Sequence, residues 1–375
     1  MSCASQKKTS QTFLAKPNAP TYNESDFVTS TSEEVLIDNK TTLVMPGSLL
    51  AKSNGRLDLV YSKKIYDWWI NYFTKRAPNT FKDHMSNAFE VKSVVQKILA
   101  KHGIPIEVFY LGLIESGYNA KIKSKAKATG PWQFMKKTAI HYDLRVDEYL
   151  DERYSLYKST EAAAKYLADL YNIFGNWELA LCGYNAGEYR VMDAIRRGNS
   201  RDYRELVSQG LLPKETIYYI PKIIAARDIY LHPERYKMFY EKRNGKIFEN
   251  VVSQEFDRSI GLKTLSKKLN ISRGLLIALN PDLKYQVALL KPGQKIRLYF
   301  PEEYKVTKLQ LNRIPASSLK TKAQTFKIYV ASKNEKIKEV ARRHGVNFTK
   351  LVKYNGFSTT KDFKLKEGQR LRIPI

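Results

Sequence analysis

The sequence predicts a mainly α fold, in which a helical domain is followed by two small α+β modules that each run strand, helix, helix, strand. Three observations carry this prediction. From Ile65 to about Tyr240, apolar residues recur at helical spacing, as in Val91, Val94, Val95, Ile98 and Leu99 ahead of the His102-Gly103 stop and the Pro105 start. Beyond Tyr240 the pattern shifts to alternating apolar and polar residues broken by short helical segments. Finally, Lys291-Pro292-Gly293-Gln294-Lys295-Ile296-Arg297-Leu298 is echoed by Lys366-Glu367-Gly368-Gln369-Arg370-Leu371-Arg372-Ile373, which marks an internal repeat.

Residues 1–35 are expected to be a tether, because their start is rich in Ser, Thr, Lys, Asn and Pro and poor in apolar residues. The helical domain occupies residues 36–240, with helices expected over 63–76, 78–89, 90–102, 105–117, 133–142, 159–174, 177–185, 187–197, 200–209 and 215–230. The first module covers 241–301, with helices from Thr264 to Asn270 and Ser272 to Asn280 and an extended end from Gly293. A Lys/Ser-rich linker at 302–324 leads to the second module, 325–375, with a strand from Phe326 to Val330, helices from Lys336 to His344 and Asn347 to Asn355, and a closing strand from Gly368.

Composition narrows the function classes. At 375 residues and 43% hydrophobic content the chain can bury a sizeable core and carry accessory modules. Lys and Arg outnumber Asp and Glu by 64 to 37, a formal charge of +27 that draws the chain toward polyanions. The lysines are scattered without a compact run of five or more basic residues, so a solvated basic surface outweighs a nucleic-acid site, and no nucleic-acid partner is expected. Cys3 and Cys182 cannot build a disulfide framework or a multi-cysteine metal site, and Cys182 reads as a small core residue. The five histidines are far apart, so no metal is expected. No apolar run reaches the roughly 20 residues that span a bilayer. Cys3, in Ser2-Cys3-Ala4-Ser5 before a polar stretch, looks like the lipidated start of a mature bacterial lipoprotein; an ordinary cysteine in a tail fits equally well.

The sharpest anomaly is Glu115. On a helix opened by Pro105 it falls on one face with Val108 and Leu111. A carboxyl at the end of an apolar face resists ionisation, which is the state a general acid needs near neutrality. A partly exposed helix-end residue is the plainer alternative. Downstream, Gly130-Pro131-Trp132-Gln133-Phe134-Met135 delivers an amide and apolar side chains from a turn. Gly183-Tyr184-Asn185-Ala186-Gly187 then ends an apolar helix with a phenol and an amide between small residues. Sugars need that mixture, since their faces stack on apolar groups and their hydroxyls and acetamides need donors and acceptors.

Glu115-Ser116, Gly130 to Met135, Tyr184 to Gly187, and Glu215-Thr216 with Tyr219-Ile220-Pro221-Lys222 occur in an order and spacing that resemble the lysozyme-like lytic transglycosylase domain of glycoside hydrolase family 23. Trp69 to Phe73, Asp151-Glu152-Arg153 and Lys158-Ser159-Thr160 point to the membrane-bound lytic murein transglycosylase D type. The terminal modules resemble LysM repeats, the first of them degenerate. The resemblance implies an enzyme of peptidoglycan glycan strands without a cofactor, monomeric, in the periplasm and anchored to the outer membrane through Cys3. In it Glu115 would protonate the bond between N-acetylmuramic acid and N-acetylglucosamine, then act as base on the muramic C6 hydroxyl to leave a 1,6-anhydro end. The substrate acetamide would take the place of a second carboxylate. Ser116, Gln133, Tyr184 and Asn185 would position the sugar, Phe134 and Met135 would line its path, and Tyr219 would orient the acid. In the second LysM-like module, Asn334, Glu335, Asn355 and Gly356 would flank a glycan site. Asp151 and Arg153 read as a structural ion pair. Two alternatives stay open: a hydrolase of the goose-type lysozyme kind, whose water-activating carboxylate would be Asp143, Asp147 or Glu188, and a non-catalytic peptidoglycan-binding protein.

Overall fold

The structure, a computed structural model, describes residues 24–30, 57–257, 259–288, 290, 293–304, 326–332, 334–355, 357 and 362–374. The expected tether over 1–35 needs a correction at its far end. Phe27–Ser30 (β1) pairs antiparallel with Leu59–Ser62 (β2), and the Phe27 ring meets Tyr203 edge-on at 6.1 Å. One aromatic residue in a polar stretch is enough to dock it when a neighbouring strand satisfies its backbone.

Ser62 caps Lys63–Asn71 (α1) by accepting from the Ile65 N–H, and the chain continues through one wide π turn, Tyr72–Arg76. Pro78–Lys101 (α2) is a single helix of 24 residues where two were expected. Nothing between Phe89 and Val91 breaks it, and Phe81, Met85, Ala88, Val91, Val95 and Leu99 form one continuous buried stripe. The expected helix over 105–117 opens instead with a 3-10 turn at Ile106–Val108 before Phe109–Ser116 (α3). Likewise, the expected helix over 133–142 begins only at Lys136–His141 (α4), because residues 129–134 close into a turn bridged by Thr129 and Phe134.

Leu156–Phe174 (α5), Trp177–Ala186 (α6), Glu188–Gly198 (α7), Tyr203–Ser208 (α8), Lys214–Ile217 (α9) and Tyr219–Leu231 (α10) complete the helical part. Of these α10 is buried on every side from Tyr219 to Arg227, so the other helices pack around it. A short helix, Lys246–Glu249 (α11), leads into the first module.

That module contains Val251–Phe256 (β3), Ile260–Gly261 (β4), Leu262–Leu269 (α12), Arg273–Leu279 (α13), Val287–Ala288 (β5) and Ile296–Pro301 (β6), with β3 antiparallel to β6 and β4 to β5. The second has Phe326–Val330 (β7), Ile337–Arg343 (α14), Phe348–Tyr354 (α15) and Arg370–Pro374 (β8), with β7 antiparallel to β8. The repeat is chemical as well as topological. Asn280 donates to Leu276 O and Tyr299 O and accepts from Tyr299 N–H; Asn355 donates to Leu351 O and Arg372 O and accepts from Arg372 N–H. In each module one amide ties the end of the second helix to the closing strand.

The chain divides into two compact units, Met1–Ile314 and Pro315–Ile375. The first module therefore belongs with the helices, and Leu279 and Tyr299 join their core. Asp151 N–H donates to Asp282 O and Lys284 N–H to Tyr149 O, both at 3.0 Å, and Tyr157 stacks on Tyr299 at 4.3 Å. At the centre of this seam the buried Lys158 ammonium lies 2.8 Å from both Glu152 and the fully buried Asp282.

Candidate functional site

The α3 helix is buried all round except at Glu115, the one residue of the eight with partial exposure. Gly117 ends the helix at φ +57, directly after Glu115-Ser116, and a Cβ there would sit 2.2 Å from the His84 ring. Only glycine fits both the left-handed backbone and the close approach. The carboxyl is thus held at a fixed helix end.

Around it, the Tyr219 hydroxyl donates to Glu115 Oε1 from the first residue of α10. One turn later on the same helix, the Lys222 ammonium donates to Ile114 O at 3.3 Å and lies 5.2 Å over the Trp69 ring. Burial raises the Glu115 pKa, against the Lys222 charge and the Tyr219 bond, which pull it down. Burial also draws Lys222 down to about 8, with Glu115 and Glu215 holding it up. His84 beneath the helix end falls to about 4 through burial and the Lys222 charge, so it is neutral at ordinary pH.

The turn that carries Gln133 is braced from three sides. Ser116 Oγ donates to Pro131 O at 2.5 Å, Tyr184 Oη to Trp132 O at 2.7 Å, and Arg153 Nη1 to Phe134 O at 3.1 Å. Asp151 holds Arg153 through two bonds of 2.9 Å, with both side chains buried. Gly130, at φ +82, leaves no room for a Cβ, which would lie 1.8 Å from Arg153 O. Gln133 itself takes φ +50, donates to Gly130 O at 2.8 Å, and leaves its buried Oε1 without a hydrogen-bond partner. An orphaned buried acceptor is costly unless a bound donor satisfies it.

The structure thus brings Tyr219 and Tyr184 to Glu115 and ties the turn that carries Gln133 to Ser116, the next residue of the chain. Asn185 lies beside them, accepting from Thr216 Oγ1 at 2.9 Å, and the Tyr184 phenol is pushed up by burial and by the Glu115 charge. Two expectations shift. Ser116 is fully buried with its proton committed to Pro131, so it braces the turn. Phe134 is 3% exposed and packs with Tyr166 and Tyr184, which leaves Met135, at 47%, as the apolar side chain that meets solvent. Lys222 carries a role the sequence reading did not give it; its signal was its place one helical turn beyond Tyr219.

In the second module, Glu335 is buried and accepts from Tyr329 Oη, Ser332 N–H and Arg343. With Asn355 spent on the closing strand, two of the four expected glycan contacts hold the module together instead. Asn334 is exposed at φ +66, while Gly356 and Cys3 lie outside the described residues. No described helix is long and apolar enough to cross a membrane.

Comparison with known proteins adds independent findings. Residues 93–207 match the transglycosylase SLT domain and residues 329–374 the LysM domain. Membrane-bound lytic murein transglycosylase D of Escherichia coli K12 is 37% identical over 141 residues, 36% of this chain and 30% of that protein, so the match spans under a third of the relative. Among solved structures, the 70 kDa soluble lytic transglycosylase of Escherichia coli is 27% identical, with 35% of this chain and 22% of that one covered at a TM-score of 0.30. An inactive variant of the lytic transglycosylase Slt of Pseudomonas aeruginosa is 19% identical, covering 40% and 26% at a TM-score of 0.32. The chain therefore carries a transglycosylase SLT domain, which contains Glu115, Gln133, Tyr184 and Asn185, followed by a LysM domain.

Proposed function

We propose that this chain is a lytic transglycosylase of peptidoglycan that cleaves the N-acetylmuramic acid to N-acetylglucosamine bond with Glu115 as its acid and base. The observation that carries the reading is a carboxyl with a raised pKa at the end of an apolar helix, faced by a donor from Tyr219, with the next residue, Ser116, bonded to the turn whose Gln133 keeps an unpaired acceptor. Glu115 gives its proton to the glycosidic oxygen and then takes one from the muramic C6 hydroxyl. The resulting 1,6-anhydro ring closes without water. The Gln133 Oε1 suits an acetamide N–H, and a held acetamide can stabilise the oxocarbenium charge in place of a second carboxylate.

Candidates for water activation are engaged elsewhere. Asp143 pairs with Lys165 at the surface, Asp147 accepts from Arg145, Tyr149 N–H and Leu150 N–H, and Glu188 accepts from Tyr166. Glu215 is the carboxylate whose charge reaches Glu115. Mass analysis of muropeptides released from purified sacculi decides between the two chemistries: anhydro ends are one water lighter than reducing ends. Reducing ends as the main product would turn the assignment to a hydrolase.

The protein works on glycan strands as a monomer in the periplasm, with Cys3 as its lipid anchor. Tyr219→Phe is expected to lower kcat roughly 10- to 100-fold, the range for one hydrogen bond to a charged group. Because that bond favours the ionised carboxyl, its loss raises the Glu115 pKa further and moves the alkaline limb of the pH–rate profile to higher pH. An unmoved limb would separate Tyr219 from the acid.

A further inference from the structure

The loop that joins Glu115 to Gln133 carries Lys121, Lys123, Lys125 and Lys127 at alternate positions. All four lysines are exposed, as is Ala126, while Ile122 and Ser124 between them are half-buried. The backbone is pinned: Gly130 N–H donates to Ile122 O at 3.0 Å, Ser124 N–H to Ala128 O at 2.8 Å, and Arg153 Nη1 to Lys127 O at 3.2 Å. Some exposed cations elsewhere, such as Lys63, Arg196 and Arg204, have an acidic neighbour, while others, such as Lys75 and Lys137, stand singly or in pairs and not in a row of four. Among the described residues these four ammonium groups have no carboxylate partner. A held row of like charges costs self-repulsion, which an anionic ligand relieves.

Beside the loop runs a groove of about 890 Å³. Lys121, Lys284 and one carboxyl, Glu90, line it together with Gly274 and Ala278 of α13, and Val91 and Phe248 supply apolar surface. We propose that loop and groove together bind the acidic stem peptides of peptidoglycan, the lysines pairing with peptide carboxylates while the apolar lining takes the side chains. This rests on the reading that a glycan strand is cut at Glu115, since the peptide hangs from the muramic residue beside the scissile bond. A bare polyanion would use the charges but not the apolar lining.

Binding is the decisive measurement. The full chain carrying Glu115→Gln is titrated with soluble glycan strands that keep their peptides and with the same strands after an amidase has removed them. Each exposed pair is weak, so four together are expected to favour the peptide-bearing strands about tenfold at low salt, with the preference fading as salt rises. Replacing all four lysines by Gln, or filling the groove with Ala278→Trp, is expected to collapse that difference. The proposal is overturned if the quadruple variant keeps the preference, if it loses affinity for both strands equally, or if its only loss is on phosphatidylglycerol vesicles, which would make the loop a membrane contact. Failure of the transglycosylase reading shows separately, in the products released from sacculi.

Discussion

Glu115→Gln is expected to lower the rate of glycan cleavage by roughly 10²- to 10⁴-fold, the usual contribution of a positioned proton-transfer group, without unfolding the chain. Gln keeps the volume and can still accept from Tyr219, so only the transferable proton is lost. Stability provides the control. In the folded state the Glu115 pKa is raised, so between the unfolded carboxyl value of about 4.3 and the folded value the native state holds more protons than the unfolded one. Stability contributed by this group is complete below that window and lost as pH rises through it. The variant lacks this loss, so its thermal midpoint at neutral pH should equal or exceed that of the parent, with the gap opening as pH rises. A variant that cleaves sacculi at the parental rate would remove Glu115 from the chemistry altogether.

The second large effect is expected at the seam between the helices and the first module. Lys158→Ala leaves Glu152 and Asp282 facing each other across a buried space, and breaking such a pair typically costs about 3–5 kcal/mol. Burial alone would pull Lys158 down, yet Asp282 and Glu152 together hold it above its ordinary value, so it stays charged. Burial raises Asp282 in spite of that neighbour, and its Oδ1 has no hydrogen-bond partner. Denaturant unfolding of the full chain reads the loss directly. Lys158→Met combined with Asp282→Leu should recover much of it, because an apolar pair carries no desolvation cost. A loss below about 1 kcal/mol in Lys158→Ala would place this pair with weak surface bridges. The seam also reaches the candidate site, for Glu152 stands between Asp151 and Arg153, which hold the Gln133 turn.

The SLT match over residues 93–207 takes in the Glu115, Gln133 and Tyr184 motifs, and the LysM match over 329–374 takes in the second of the two repeated modules. Helix breaks were less legible. One long α2 stands where two helices are expected, because its buried stripe runs on through Ala88 and Val91 without interruption. The helix expected over 133–142 begins three residues later, at Lys136, because a turn with positive φ at a non-glycine residue such as Gln133 leaves no periodic trace.

What the sequence determined by itself is local: amphipathic faces, glycine stops, a repeated strand-helix-helix-strand plan, and a carboxyl at the end of an apolar helix. These follow from side-chain spacing along one element, which the chain encodes within a few residues. Only the tertiary structure decided what each group faces. Tyr219 meets Glu115 across 104 residues of chain and Lys158 meets Asp282 across 124. It is likewise folding that turns Glu335 and Asn355 inward and leaves four lysines of one loop facing outward. Periodicity says which face of an element is buried; desolvation and pairing depend on which other element arrives there, and that is set by packing of the whole core.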